Sequence, residues 1–311
     1  MSVILEISLP VFGLILCGYL AGIKGILGKQ SASALNGFVY YFALPALLFG
    51  FTAQAPLMVI LNWNFIGSIL FGSFATYMVS LIIGWGIFGY RLPVIGIAAL
   101  SSVFANTGYL GIPLFLTAFG PDHAGPAIVA TVTVNLVFVG GTICFLELAG
   151  KNGATPATTI INVFKALSKN PLISAPLVAL PFTIFGIELP VLASRFFDLL
   201  GSAAAPAALF AIGMSFVERG VKTHKGEISV FVFIKMLVHP FLTWVLVTYF
   251  FEVESFWASS AIILSALPTA AMAFVIAQEK MAYVSEVSSI IVLSTIISVI
   301  TISTLLVILP G

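Results

Sequence analysis

The stretch FANTGYLGIPLF, Phe104–Phe115, interrupts a long apolar segment with an Asn-Thr pair, two glycines and a proline. A backbone amide without a partner in lipid costs several kcal/mol, so a broken helix is tolerated only where protein or a water-filled cavity covers it. A later apolar segment carries a second interruption, LSALPTAAMAF, at 264–274. The two interruptions predict a functional site inside a membrane.

The composition agrees with a membrane setting. Of the 311 residues, 60% are hydrophobic and 7% are charged, which a water-soluble globule of this length cannot accommodate. A membrane helix needs about 20 apolar residues. Ten such spans fit, at 3–23, 33–54, 65–88, 95–119, 125–148, 170–187, 191–216, 229–251, 256–278 and 285–309. The lipid bilayer is therefore the expected surroundings, and a net charge of +1 gives no sign of nucleic-acid binding.

Basic residues predict the orientation, because Lys and Arg in short loops stay on the cytoplasmic side. The loops after odd-numbered spans carry Lys24, Lys29, Arg91, Lys151, Lys165, Lys169, Arg219, Lys222, Lys225 and Lys280. The loops after even-numbered spans carry the acids Asp122, Glu188, Glu252 and Glu254. We therefore expect a multi-pass protein of the inner (plasma) membrane with both termini extracytoplasmic.

An internal repeat predicts the architecture. ALPALLF (43–49) matches AAPAALF (204–210) at five of seven positions, 161 residues later, and Pro10 and Pro171 share this offset. Because the offset covers five spans, the second copy would enter the membrane upside down, as in many secondary transporters. The predicted domains are a first repeat at 1–148, a short cytoplasmic linker at 149–169 and a second repeat at 170–311.

The interruptions suggest a chemistry if their helices cross near the bilayer midplane. The second half of each helix then begins near the crossing, where its free N–H groups and positive dipole end make an anion site. Gly108 and Gly111 would let a ligand approach the backbone, and Pro113 suits an early helix position. Pro268 breaks the second helix, although at the repeat offset it falls opposite Thr107.

The sequence resembles the auxin efflux carrier family, whose bacterial members include malate and malonate permeases. The similar motifs are ANTGYLGIPLF (105–115), KNPLI (169–173), APAALFAIGMSF (205–216), IKMLVHP (234–240) and ALPTAAMAFVIAQEK (266–280). The resemblance implies an all-α membrane fold of ten transmembrane helices in five-plus-five inverted repeats, with broken crossover helices four and nine. Sodium/proton antiporters and bile-acid symporters share this fold. It also implies a scaffold of helices one, two, six and seven, and an elevator-like transport group of helices three to five and eight to ten.

Polar residues within the spans are candidate site residues, because they are costly in lipid. The resemblance places Asn106 against a substrate carboxylate, whereas Asn106 and Thr107 could also simply cap the outer half-helix. Thr269, directly after Pro268, is the counterpart in the second interruption. Asn135 in span five could line the cavity or bind an exposed carbonyl of span four.

Lys235 and His239 share one face of span eight at i,i+4 spacing. Lys235 could snorkel to the interface, neutralise the carbonyl end of a broken helix or contact the substrate, and its ammonium could replace a coupling sodium ion. His239 could bind a carbonyl freed by Pro240 or couple transport to protons. We predict charge compensation or coupling by these two residues, with neither a metal nor a cofactor.

The sequence lacks the residues of several rival classes. It has no pair of membrane carboxylates for a sodium/proton antiporter, no phosphate loop for an ATP-driven pump and no Ser-His-Asp arrangement for an enzyme. We therefore expect a secondary transporter for a small organic anion, such as malate or malonate. A larger amphipathic weak acid of the auxin or bile-acid type is the alternative substrate, and a non-transporting sensor or channel is the alternative class. The small-residue pattern at Gly18 and Gly22 could bring helices together within one chain or across a homodimer.

Overall fold

The structure is a computed structural model that describes residues 9–92, 94–141, 144, 156–218 and 225–309, and its regular elements in these ranges are helices. Five helical stretches are long and apolar enough to cross a membrane: Gln30–Gln54, Leu57–Gly86, Val191–Val217, Gly226–Tyr249 and Val284–Ile308. Shorter apolar helices overlap the other predicted spans: Leu9–Ile23, Val94–Val103, Thr107–Phe119, Gly125–Phe138, Pro171–Phe185 and Ser255–Ser265. The chain therefore has the build of an all-helical, multi-pass membrane protein. The count of ten spans stays a prediction.

Some of the sequence predictions fall outside the described residues. Lys151, Arg219 and Lys222, which contribute to the predicted orientation, are among them, as are the predicted span ends at 3–8 and 145–148.

The α-helices of the described ranges are α1 (Leu9–Ile23), α2 (Lys29–Phe38), α3 (Leu44–Gln54), α4 (Leu57–Ile60), α5 (Trp63–Gly86), α6 (Val94–Val103), α7 (Ile112–Phe119), α8 (Gly125–Val134), α9 (Pro156–Lys169), α10 (Pro171–Phe185), α11 (Val191–Ser202), α12 (Ala204–Glu218), α13 (Lys225–Phe233), α14 (His239–Tyr249), α15 (Ser255–Ser265), α16 (Ala271–Glu279) and α17 (Val284–Ile308).

Wide π-helical turns interrupt the helical path. They lie at Val39–Ala43, Thr107–Gly111, Asn135–Val139 and Ile234–Val238. Three of these turns end two residues before a proline, namely Pro45, Pro113 and Pro240. Proline cannot donate to the carbonyl four residues back, and a wider turn accommodates the missing bond. After the last of the four turns, for example, the His239 N–H donates to the Ile234 carbonyl, five residues back. The chain can therefore pass a proline without losing its helical course.

Packing divides the described chain into two compact units. The first contains the described residues of 1–63, 107–132 and 168–218, and the second those of 64–106, 133–167 and 219–311. The division falls inside the first interrupted helix, between Asn106 and Thr107. The predicted repeats and the predicted scaffold and transport groups each consist of complete helices, whereas the two units divide one helix. The repeats and the two groups stay predictions.

In the first unit, α1 and α12 approach so closely that glycine is required at the contact. A Cβ atom on Gly18 would lie 2.0 Å from the Phe210 carbonyl oxygen, and one on Gly213 would lie 1.9 Å from the Ile15 carbonyl oxygen. Gly22 faces α12 in the same way, with a side-chain carbon 2.7 Å from its Cβ position. The small-residue pattern of α1 therefore brings two helices of one chain together.

In the second unit, the first residues of α13 pack against α6 and α17. The buried cluster there includes Ala98 of α6, Ile228 and Phe231 of α13, and Ile290 of α17. Each of these side chains is at most 3% exposed. This apolar contact joins α6, which precedes the first interruption, to α13 and α17.

A polar contact joins the first turn of α13 to the loops that precede α6 and α17. The Tyr90 hydroxyl donates to Glu227 Oε2 at 2.5 Å and lies 3.2 Å from the Tyr283 hydroxyl. Burial, and then the bond to Glu227, raise the pKa of Tyr90 well above its ordinary value. Tyr90 therefore stays protonated and remains a donor at physiological pH.

The segment predicted as a linker contains the helix α9, which the sequence analysis does not predict. Its apolar residues form one broad stripe, of which one edge packs on the protein and the other edge is exposed. Residues 149–155 of the predicted linker lie outside the described residues.

Candidate functional site

The backbones of the two interruptions pair with each other within the second unit. An isolated antiparallel bridge joins Ala105 to Thr269. The Asn106 N–H donates to the Pro268 carbonyl at 2.8 Å, and a second bond of 2.8 Å runs from the Ala270 N–H back to the first interruption. Buried backbone groups need such partners, because neither lipid nor packed protein supplies water. Each interruption therefore satisfies polar groups that the other exposes.

Thr269 supports this pairing with its side chain. Its hydroxyl donates to the Ser101 carbonyl at 2.6 Å, and its N–H donates to Ser294 Oγ at 3.1 Å. Thr269 is 1% exposed. A hydroxyl has a single proton to donate, so in this arrangement Thr269 binds the carbonyl end of α6 and has no proton left for a carboxylate.

Lys235 binds the carbonyl end of the other broken helix. Its Nζ donates to the Ser265 carbonyl, the last residue of α15, at 2.6 Å, and the side chain is fully buried. Nζ also lies 3.2 Å from His239 Nδ1, and His239 Nε2 lies 3.0 Å from Ser73 Oγ. With Lys235 as an ammonium, which can only donate, Nδ1 of His239 accepts and its Nε2 carries the proton towards Ser73. Of the roles open for Lys235, the geometry favours neutralising the helix end.

Asn106 lies at the interruption with its side chain half-buried. Within the part of the chain that the structure describes, its side-chain amide makes no hydrogen bond to another residue. The helix that follows the second interruption, α16, begins at Ala271, directly after the paired segment. Its Ala273 N–H bonds the Ala270 carbonyl at 3.1 Å, whereas the amides of Ala271 and Met272 have no backbone acceptor among the described residues. Several hydrogen-bond donors are therefore collected at this break.

The remaining predicted residues of the first interruption belong to the first unit, where they are buried. Thr107 is 2% exposed and starts the π-helical turn Thr107–Gly111. A Cβ atom on Gly108 would lie 3.4 Å from Thr131 Cγ2, so a side chain fills the space that a ligand would need in this conformation. Pro113 lies in the first turn of α7, but the π-helical turn separates it from the break. The outer half therefore begins with a wide turn and not with α7.

Asn135 is 6% exposed and begins the π-helical turn Asn135–Val139 of the second unit. It has bonding partners within the chain. The structure therefore gives Asn135 a position at a local widening of its helix.

A groove of about 650 Å³ lies elsewhere in the second unit. Its lining is apolar apart from one tyrosine and contains none of the predicted site residues: Leu70, Phe71, Phe74, Tyr77, Met78, Leu81, Val137, Phe138 and Gly141. No cation or amide side chain lines it, so this groove suits an apolar occupant and not a small carboxylate.

The polar partners of the predicted residues are not among the residues that the sequence singles out. Ser73 contacts His239, and it shares a buried face of α5 with Thr76 and Ser80, at i, i+3 and i+7. That spacing within an apolar span is the signal that could have identified the face. Ser265 and Ser101 take part through backbone carbonyls, which leave no mark in the sequence.

Comparison with known proteins gives the following matches. The family model described as "Membrane transport protein" matches residues 3–306. A Rhizobium meliloti protein named "Putative malonate transporter" is 30% identical over 282 residues, which cover 90% of this chain and 87% of the relative. An Escherichia coli protein named "Uncharacterized transporter YfdV" is 23% identical over 281 residues, 86% of each chain. The mouse "Lysosomal cholesterol signaling protein" is 26% identical over 253 residues, which cover 75% of this chain but 28% of the mouse protein.

Proposed function

The chain belongs to the membrane transport protein family, that of the auxin efflux carriers, and from this premise we propose that it is a secondary transporter for a small organic anion. The proposed substrates are mono- and dicarboxylates such as malonate and malate, since the bacterial relative at 30% identity carries malonate in its name. The proposed location is the inner (plasma) membrane with both termini extracytoplasmic. The proposed movement is elevator-type alternating access.

The pairing of the two interruptions beside Asn106 is the observation that carries this proposal. The bond from the Asn106 N–H to Pro268 holds the asparagine next to the segment that leads into α16. The Asn106 side chain and the amides of Ala271 and Met272 are donors that a carboxylate can accept, and such charge-assisted bonds are short and strong. The N-terminus of α16 adds a favourable dipole for an anion.

Lys235 supplies the positive charge in this proposal. Its ammonium is fully buried on the carbonyl end of α15, three residues before Pro268. An anion at the break would offset a buried cation whose described bonds go to a carbonyl and an imidazole. A lysine in this position makes a co-transported sodium ion redundant, so the proposal includes sodium-independent transport.

The other predicted residues take secondary roles. Pro268 and Thr269 shape the break, while ligand contacts from Thr107, Gly108, Gly111 and Asn135 stay predictions from the sequence. His239 orients the lysine through the 3.2 Å contact, and a proton on its Nε2 would link the site to Ser73. The signalling function in the mouse relative's name is not carried over, because most of that protein has no counterpart here.

The test is counterflow of labelled malonate and malate into proteoliposomes, with an indole carboxylate as the larger weak acid. Asn106→Ala should weaken carboxylate binding by about 1.5–3 kcal/mol, as expected when a hydrogen bond to a charged group is lost. Asn36→Ala is the matched control, since the Asn36 amide bonds the Ala32 carbonyl of its own helix at 3.0 Å.

The possible outcomes separate the candidate functions. Flux without counterflow would indicate a channel, and binding without flux would indicate a sensor. Transport of the indole carboxylate but not of malonate would favour the larger substrate class. If Asn106→Ala binds carboxylates with the affinity of the wild type, Asn106 does not contact the substrate.

A further inference from the structure

We propose that α9 (Pro156–Lys169) lies in the membrane–water interface, where it binds the anionic headgroups of the lipid bilayer. A helix in the interface places an apolar face at the acyl boundary and a basic polar face among the headgroups. α9 presents both of these faces, together with a third face that packs on the protein. The proposal concerns the lipid surface and does not depend on the transported substrate.

Three sectors follow from the geometry of the helix. Each residue turns an α-helix by about 100°, because 3.6 residues complete a turn. On that basis the side chains of α9 form sectors whose centres are about 120° apart. The packed sector holds Thr159, Val163 and Leu167; the apolar sector holds Ile160, Ile161 and Phe164; the polar sector holds Thr158, Asn162, Lys165 and Lys169.

The packed sector is occupied by the protein itself. A Cβ atom on Gly140 would lie 3.4 Å from Val163 Cγ1 and 3.5 Å from Leu167 Cδ1. Thr159, in the same sector, is 3% exposed. This contact fixes the rotation of α9 about its axis, and therefore the directions of the other two sectors.

The apolar sector is exposed. Ile160 is 69% exposed, Ile161 62% and Phe164 73%. Water disfavours three large adjacent apolar side chains, whereas the acyl boundary of a bilayer accepts them. The helix also ends where a membrane helix starts, because Lys169 is followed by Asn170, which caps the apolar helix α10. The C-terminal end of α9 is therefore expected at the membrane surface, where α10 begins.

The polar sector selects the charge of the occupant. Lys165 and Lys169 are exposed at i,i+4, and α9 contains no acidic residue. Lys and Arg near an anionic leaflet are attracted to its headgroups. A second copy of the chain fits less well, since a two-fold contact through this face would oppose the same two lysines. An anionic bilayer satisfies both the apolar and the basic sector.

The experiment measures the depth of single labels on the full chain in vesicles. In a background with Cys17→Ser and Cys144→Ser, an environment-sensitive fluorophore is attached to Phe164→Cys or, as the matched control in the polar sector, to Asn162→Cys. Vesicles contain phosphatidylcholine alone or with about one quarter phosphatidylglycerol. We expect lipids brominated in the acyl chain to quench the label at 164 at least about twice as strongly as the label at 162, and aqueous iodide to show the reverse order.

The charge is tested in the same assay. Phosphatidylglycerol should increase bromolipid quenching at 164, and Lys165→Gln with Lys169→Gln should abolish that increase, as should high salt. Equal iodide quenching at 164 and 162 would overturn the interfacial position. Protection of 164 from both quenchers would show that protein covers the face, and quenching that is indifferent to phosphatidylglycerol would overturn the role of anionic lipid.

Discussion

Replacement of Lys235 by methionine separates the structural contribution of the buried ammonium from its contribution to transport. Methionine fills most of the space of the lysine stem and carries no charge, so it leaves no large cavity. The change removes the 2.6 Å bond to the Ser265 carbonyl and the 3.2 Å contact with His239 Nδ1. Two buried acceptors lose their partner, and one buried charge disappears.

Two opposing terms set the expected change in stability. Ser265 is 1% exposed and His239 is 2% exposed, so water cannot replace the lost donor, at a cost of about 1–3 kcal/mol for each acceptor. Burial of an ammonium without a carboxylate partner carries a penalty of several kcal/mol, which methionine removes. We expect the free energy of unfolding to change by less than about 3 kcal/mol in either direction.

Transport by Lys235→Met should fall to background, because the anion then loses the buried ammonium that the proposal places at the break. Lys235→Arg keeps the charge without the compact geometry and should recover part of the rate. The assay is uptake of labelled malonate into proteoliposomes at fixed pH and membrane potential, in sodium and in choline buffers. Wild-type uptake by Lys235→Met would refute the role of the lysine charge. If the wild-type protein loses uptake when choline replaces sodium, the idea that the lysine ammonium takes the place of a coupling sodium ion is refuted.

Three further predictions concern packing, the helix break and orientation. Gly213→Leu should prevent stable folding by forcing α1 and α12 apart, whereas Gly13→Ala, with nothing within 4 Å of its Cβ position, should change the melting temperature little. Thr269→Val should lower the free energy of unfolding by about 1–3 kcal/mol, because the buried α6 carbonyl loses its donor, and Thr269→Ser should restore it; an unchanged denaturation midpoint for Thr269→Val would contradict the capping role. In a cysteine-free background, an impermeant thiol reagent added outside cells should label Asp122→Cys and not Lys24→Cys, and the opposite pattern would invert the topology.

The positions of the helix breaks could be predicted because the residues that make them are rare in apolar spans. Asn106 and Pro268 stand out against apolar surroundings, and the structure ends α6 at Val103 and α15 at Ser265. The bond from Lys235 to the Ser265 carbonyl could not be read in the same way, because a backbone acceptor has no sequence signature. The i,i+4 spacing pairs Lys235 with His239, and the sequence predicts the carbonyl end of a broken helix as a further partner without identifying the residue, Ser265, that supplies it.

The helix α9 and the two packing units show that sequence patterns do not predict which neighbours a helix packs against. Sequence periodicity assigns each apolar residue to one buried face, yet α9 uses Val163 for packing on the protein and leaves Phe164 exposed. The units divide at Asn106 and Thr107 because each half of the interrupted helix packs with its own neighbours. Whole spans counted from hydropathy could not reveal that division.

The mutual bonding of the two interruptions has a consequence for synthesis of the chain. The Asn106 N–H is bonded to the carbonyl of Pro268, which a ribosome adds 162 residues later. At roughly 5–20 residues per second, this interval lasts about 8–30 s. During that time the first break is inserted without its native backbone partner and depends on water, the insertion machinery or a temporary protein contact. Completion of this intramembrane pairing is therefore a late event in biogenesis, and truncation before residue 268 should leave the first break open to quality-control proteases.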